Sequence, residues 1–195
     1  MIRRLLTTPV TWAVVTLLGL AGAGALFWFQ PWRLFTDTTV TDTISVVASA
    51  GPVVSGSPGQ PGSSAGPAAS GSPARPGAAS PVVVAEGSFV THEHDTTGSA
   101  RVIRNADGSH QLELVGLDTS DGPDLRVLLS DQPVRPGVDG WRVFDDGVHT
   151  ELGRLKGNHG DQVYPFRAGV DPAAFRSVSI WCERFSVSFG AASLA

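Results

Sequence analysis

Twenty consecutive residues, Val10 to Phe29, carry no charge. A helix rises about 1.5 Å per residue, so a run of this length crosses a ~30 Å hydrocarbon layer. The run therefore withholds the longest apolar stretch of the chain from any soluble core. Arg3 and Arg4 precede it. Positive residues stay on the cytoplasmic side, which places the N-terminus inside and the C-terminal part outside. Phe27, Trp28, Phe29 and Trp32 gather at the far end, where amphipathic rings prefer the membrane–water interface. A cleaved signal peptide is the competing reading, since Ala21-Gly-Ala23 and Ala23-Gly-Ala25 fit a small-x-small cleavage pattern. Both lie inside the apolar run, however, and signal-peptide apolar regions are shorter, about 7–15 residues. No cysteine follows the run directly, so a lipoprotein is excluded. The expectation is an uncleaved single-pass anchor over residues 10–29, with a cytoplasmic N-terminus over 1–9 and the protein in the cell membrane.

Residues 30–81 read as an extracytoplasmic stalk. Its first part, Gln30 to Ala50, is rich in Thr, Asp and Val and suits a short strand or an extended leader. From Gly51 to Pro81 the chain is mostly Gly, Pro, Ser and Ala. Such a segment lacks the apolar mass to offset the entropy of ordering, and reads as a disordered linker. About thirty residues of coil reach ~30 Å by square-root scaling.

What remains, Val82 to Ala195, is long enough for one domain with a core of its own. It holds 10 Arg and Lys against 16 Asp and Glu, a net charge of −6. Nucleic-acid binding needs a basic stripe and is excluded as a partner class. Lys156 is the sole lysine among 14 basic residues, beside abundant Gly, Pro and Ala. That usage suits a GC-rich bacterial genome and a bacterial cell envelope.

Apolar residues in this region recur at period 2. Leu112 and Leu114, then Leu125, Val127 and Leu129, then Val178, Ile180 and Cys182, then Phe185, Val187 and Phe189 alternate with polar positions. This pattern predicts strands with one face on a core. Turn signals separate them at Asn105–Gly108, Asp121–Pro123, Arg135–Gly137, Asp145–Gly147 and Gly157–Gly160. The predicted fold class is all-β: an antiparallel sandwich or barrel-like domain behind one transmembrane helix and a disordered linker. Only Asp171 to Arg176 looks helical, with Asp171 as N-cap and Pro172 at the first helical position.

Cys182 is the only cysteine in the chain, so it forms no intramolecular disulfide. It is an inert core residue, a reactive thiol or a ligand. The inward phase is even up to Cys182 and odd from Phe185, so a bulge or tight turn is predicted at Glu183–Arg184. That places the thiol at the core's edge, within reach from outside, with Trp181 on the opposite face. Arg184 approaches the sulfur if the kink folds back.

Several pieces, in order, carry a family resemblance. They are Gly87-Ser-Phe89, His94-Asp-Thr-Thr-Gly98, Ala100-Arg-Val-Ile103, Leu112-Glu-Leu114, Asp121-Gly-Pro-Asp-Leu125 and Val127-Leu-Leu-Ser130. Leu152-Gly-Arg-Leu-Lys-Gly157, Gly160-Asp-Gln-Val-Tyr164, Ser177-Val-Ser-Ile-Trp-Cys182 and Phe185-Ser-Val-Ser-Phe189 follow. Residues from about 82 to 195 thus resemble the DM-thirteen domain, also called the electron-transfer DM domain. The resemblance implies a β-rich extracytoplasmic domain whose characteristic cysteine acts in redox chemistry. Cys182 holds that position, and His94 holds the histidine of the His-x-x-x-Gly piece.

His92 and His94 are two apart and share a face if the strand continues, so together they suit a metal ion. Haem iron accepts a thiolate or an imidazole, which makes Cys182 and His94 candidate haem ligands. The Cys-x-x-Cys-His attachment of a c-type haem is absent, and the sequence requires no cofactor. Asp118, Asp121 and Asp124 do not match an EF-hand and suit turn formation. No hydrolase motif is present. Two functions stand: a membrane-anchored module for redox or electron transfer centred on Cys182, working with an envelope redox partner, or a non-catalytic cell-surface binding or adhesion module in which Cys182 is core packing.

Overall fold

Strands occur where the alternation places them, and their inward residues meet in one core. The computed structural model describes residues 9–46 and 80–195. The expected cytoplasmic segment up to residue 8, and the low-complexity segment up to residue 79, lie outside the described residues. The chain has one N-terminal helix, α1 (Pro9–Phe29), long and apolar enough to cross a membrane. None of its residues is buried, as suits a helix whose apolar surface faces lipid.

Among the described residues, nine strands follow. They are β1 (Thr39–Thr41), β2 (Val82–Thr91), β3 (Thr97–Arg104), β4 (His110–Asp118), β5 (Leu125–Ser130), β6 (His149–Arg154), β7 (His159–Pro165), β8 (Ser177–Cys182) and β9 (Val187–Ser193). They form one sheet in the order β1-β7-β4-β3-β2-β9-β8-β5-β6, curled into a half-barrel. Every ladder is antiparallel except β1 on β7, which is parallel. The curl happens along β2. Its first part, Val82 to Ser88, pairs with β3, and Phe89 to Thr91 pair with β9. One long strand therefore serves both halves and carries the following residues, 92–94, to the core's rim.

The two halves close on one another. Leu112, Leu114 and Leu117 of β4 meet Val127, Leu129, Val178, Ile180, Cys182 and Phe189 in one buried cluster. Trp181 faces away, as its odd position requires, and packs with Leu128, Phe144 and Ala191 under the 131–148 loop. Asp171 caps its 3₁₀ turn, its carboxylate accepting from the Ala173 amide at 3.0 Å.

The leader beyond α1 does not hang free. A 3₁₀ turn over Pro31–Phe35 is followed by β1, which covers the β7 edge. Two amides of the leader donate to side chains of the module, Thr38 to Asn158 Oδ1 at 2.7 Å and Ser45 to Glu113 Oε1 at 2.8 Å, and the Asp42 amide donates to the Asp161 carbonyl at 3.0 Å. Asp42 pairs with Lys156 and accepts from the Val163 amide. Glu113 is fully buried under this strap, bonded also by Arg101 and Gln111. The approach needs small residues opposite it. A Cβ at Gly157 would overlap the Thr38 carbonyl, and one at Gly160 the Val40 carbonyl. The link from the apolar helix to the module is thus the short stretch 30–38. On either side of the undescribed segment, Ser45 bonds to β3 and β4 and Val82 pairs with Arg104.

Candidate functional site

The β8–β9 turn, Glu183–Ser186, resolves the phase change read in the sequence. Ser186 adopts a left-handed conformation (φ 46°), and the Phe185 amide donates to the Cys182 carbonyl at 3.3 Å. Cys182 is the last inward residue before that turn. Its thiol is fully buried (0 % exposed) within the core, not open at the rim. Burial pushes the thiol pKa up. The N–H groups of Phe185, Asp124 and Arg184 beside the sulfur act the other way, and the Glu93 carboxylate adds to the upward shift. The thiolate is the reactive form, so burial and the upward shift both disfavour reaction at this sulfur.

Arg184 does not turn back to the sulfur. Its guanidinium donates to the Phe27 and Trp28 carbonyls at the C-terminal end of α1 and lies 5.4 Å from the Trp28 ring centroid. Those carbonyls have no partner inside the helix, and a cation there also meets the negative end of the helix dipole. Phe185 stacks on Phe29 with centroids 5.8 Å apart. Arg33 adds an ion pair to Asp121 at 3.3 Å. The turn beside Cys182 is therefore fastened to the end of the apolar helix.

A cavity of about 300 Å³ lies between them. Phe29, Phe185, Phe189, His94 and Pro123 supply most of its wall, with Arg33, Glu93 and Asp121 at its polar side. His94 stacks on Phe189 at 3.9 Å between centroids. Among the described residues its ring nitrogens have no hydrogen-bond partner, nor does the Glu93 carboxylate. The sequence singles out His94 but gives no sign of Phe29, Phe185 and Glu93 as its neighbours in the cavity. The aromatic cluster at the helix end was the available signal, though it points to an interface rather than to a pocket.

His92 sits elsewhere. β2 ends at Thr91, so the shared face assumed for His92 and His94 does not continue through them. His92 stacks on Phe144 of the outer cluster and is 6 % exposed. Both its nitrogens are bonded, Nδ1 to Ser188 Oγ at 2.8 Å and Nε2 to the Arg135 carbonyl at 3.0 Å. One tautomer satisfies the whole chain of bonds: Ser179 donates to Ser188, Ser188 to Nδ1, and Nε2–H to Arg135. Burial lowers the His92 pKa, opposed by the Arg135 carbonyl. The pair is not brought together for a metal, and no group of three or more His, Cys, Asp and Glu gathers among the described residues. The three aspartates are likewise dispersed, Asp118 to His159, Asp121 to Arg33 and Asp124 to Arg126 and Arg154.

The Cys182 sulfur, closed inside the core, does not fit as an axial haem ligand. His94 has the right chemistry, but a cavity of about 300 Å³ is at the small end for ligand sites and suits one or two fused rings rather than a porphyrin. A second depression of about 480 Å³, lined by His110, Phe175 and Leu194 among others, includes none of Cys182, His92 and His94.

Comparison with curated proteins returned no match, and comparison with solved structures returned none either. The family model described as Electron transfer DM13 matches residues 88–194, more than half of the chain. The matched region contains β3 to β9, both histidines, the Glu183–Ser186 turn and Cys182. The chain belongs to the Electron transfer DM13 family.

Proposed function

We propose that this chain is a membrane-anchored, extracytoplasmic electron-transfer module in which Cys182 carries the redox role and His94 is the proton or ligand partner. The family supports the electron-transfer part. The uncharged helix behind Arg3 and Arg4 supports the anchor, with the module outside and the N-terminus inside. One observation carries the focus on Cys182: Phe185 borders both sites. Its backbone N–H lies beside the sulfur while its ring walls the His94 cavity. The reaction partner is an envelope redox protein or a membrane-borne carrier that reaches the interface.

A second reading is favoured by the burial of Cys182. A fully buried, protonated thiol is also what simple core packing looks like. The module is then a cell-surface binding or adhesion domain. The test is the visible spectrum of the full chain, produced with haem and iron supplied, together with titration of its native thiol. An absorbance band lost in Cys182→Ser or His94→Ala supports a cofactor-based carrier. A colourless protein whose thiol reacts while folded supports thiol redox chemistry. A colourless protein whose thiol reacts only after unfolding overturns the redox role of Cys182 and leaves the binding module.

A further inference from the structure

We propose that the cavity between the end of α1 and the β8–β9 turn binds the ring of a lipid-soluble quinone. The inference rests on the electron-transfer reading above for its biological sense, but on the cavity alone for its chemistry. The walls are flat and apolar: Phe29, Phe185, Phe189 and the His94 imidazole. A volume of about 300 Å³ accommodates one or two fused six-membered rings. Two groups that exchange protons, His94 and Glu93, border it without a hydrogen-bond partner among the described residues. An imidazole N–H reaching the oxygen of a bound ring supplies the orienting polar contact that a mostly apolar site needs.

Location selects the carrier. Phe29 is both the last residue of α1 and a wall of the cavity. With α1 in a bilayer the opening lies at the interface, where a ring can enter while its isoprenoid tail remains in the hydrocarbon. Charge argues against a phospholipid headgroup. Arg33 is already engaged by Asp121 and Gln30, and Glu93 and Asp121 leave the polar side net negative. A phosphate would be repelled, whereas a neutral quinone is not.

The experiment uses the full chain in lipid nanodiscs and an oxidised naphthoquinone with a short prenyl tail, read by quenching of tryptophan emission. His94→Phe keeps a ring over Phe189 and removes the nitrogens. Phe185→Ala removes one wall. Saturable quenching that weakens about five- to tenfold in His94→Phe, the loss expected for one hydrogen bond, and weakens also in Phe185→Ala, supports the proposal. Quenching that only follows partitioning into lipid and is equal in all three proteins overturns it, as does displacement of the ring by glycerol phosphate. No electron donor is present, so binding is read independently of transfer. The electron-transfer reading is tested apart from this, by the visible spectrum and native-thiol titration of the full chain, so the two fail separately.

Discussion

The Phe29 and Phe185 rings stack with centroids 5.8 Å apart and 19° between their planes. This joins the final residue of the apolar helix to the turn that follows Cys182. The module is thus held at the helix end, and the thiol lies behind the one turn that is fastened there.

Loosening that joint leaves the core untouched. Arg184→Ala removes the bonds to the Phe27 and Trp28 carbonyls and the cation over the Trp28 ring. The expected result is faster proteolysis within residues 30–38 of the nanodisc-held protein, with a thermal midpoint lowered by no more than about 2–5 °C, since an exposed ion or cation–π contact contributes about 0.5–1 kcal/mol.

Gly160→Ala ejects the leader. Gly160 has φ 94°, and a side chain there overlaps the Val40 carbonyl. Left-handed backbone costs an alanine about 1–2 kcal/mol before any clash. Amide hydrogen exchange should show lost protection at Asp42, which donates to Asp161, while Val127 and Ile180 remain protected.

Acid destabilises the module in two steps. His92 has its pKa lowered from the ordinary 6.5, by burial first. The unfolded chain therefore takes up that proton before the folded one, and stability present above pH 6.5 is lost as pH falls through it. Glu113 is also lowered from 4.5: burial alone would raise it, but bonds from Ser45, Arg101 and Gln111 outweigh that. Its contribution is present above pH 4.5 and lost below. Denaturant midpoints measured from pH 8 to 3 should fall in both windows, with His92→Gln flattening the upper one and Glu113→Gln the lower.

Cys182→Ser places a hydroxyl in the apolar core, at a cost of about 1–3 kcal/mol. Cys182→Ala loses only contacts and a small volume, about 1 kcal/mol. Both variants should fold, with the serine form melting lower. Electron transfer lost in both variants supports the redox role, and transfer kept in both removes it.

Much of the fold is legible because strand burial has a strict period. The alternation at Leu125, Val127 and Leu129 and at Val178, Ile180 and Cys182 names the residues that meet in the core, and the phase change before Phe185 locates the turn. The docking of β1 was open between strand and leader. Three residues, Thr39–Thr41, are too few for a period, and their partners lie about 120 positions away. The His92 environment was hidden for the same reason, since its bonds come from Arg135 and Ser188. The cavity is the least legible part, because its walls come from the helix end, the bend after β2, the Asp121–Pro123 loop and the β8–β9 turn, which only the folded chain brings together.

The most direct test of the account is the rate at which native Cys182 reacts with a chromogenic disulfide reagent across a range of subdenaturing urea. A redox role for Cys182 requires that its buried sulfur be reached without global unfolding, and the Glu183–Ser186 turn, whose amides lie beside it, is the segment whose opening would expose it. The account predicts slow labelling whose opening free energy lies below that of global unfolding and depends weakly on urea, as local opening does, and which speeds up in Phe185→Ala. Labelling that requires the full free energy and urea dependence of global unfolding, unchanged in Phe185→Ala, would contradict it and make Cys182 a packing residue.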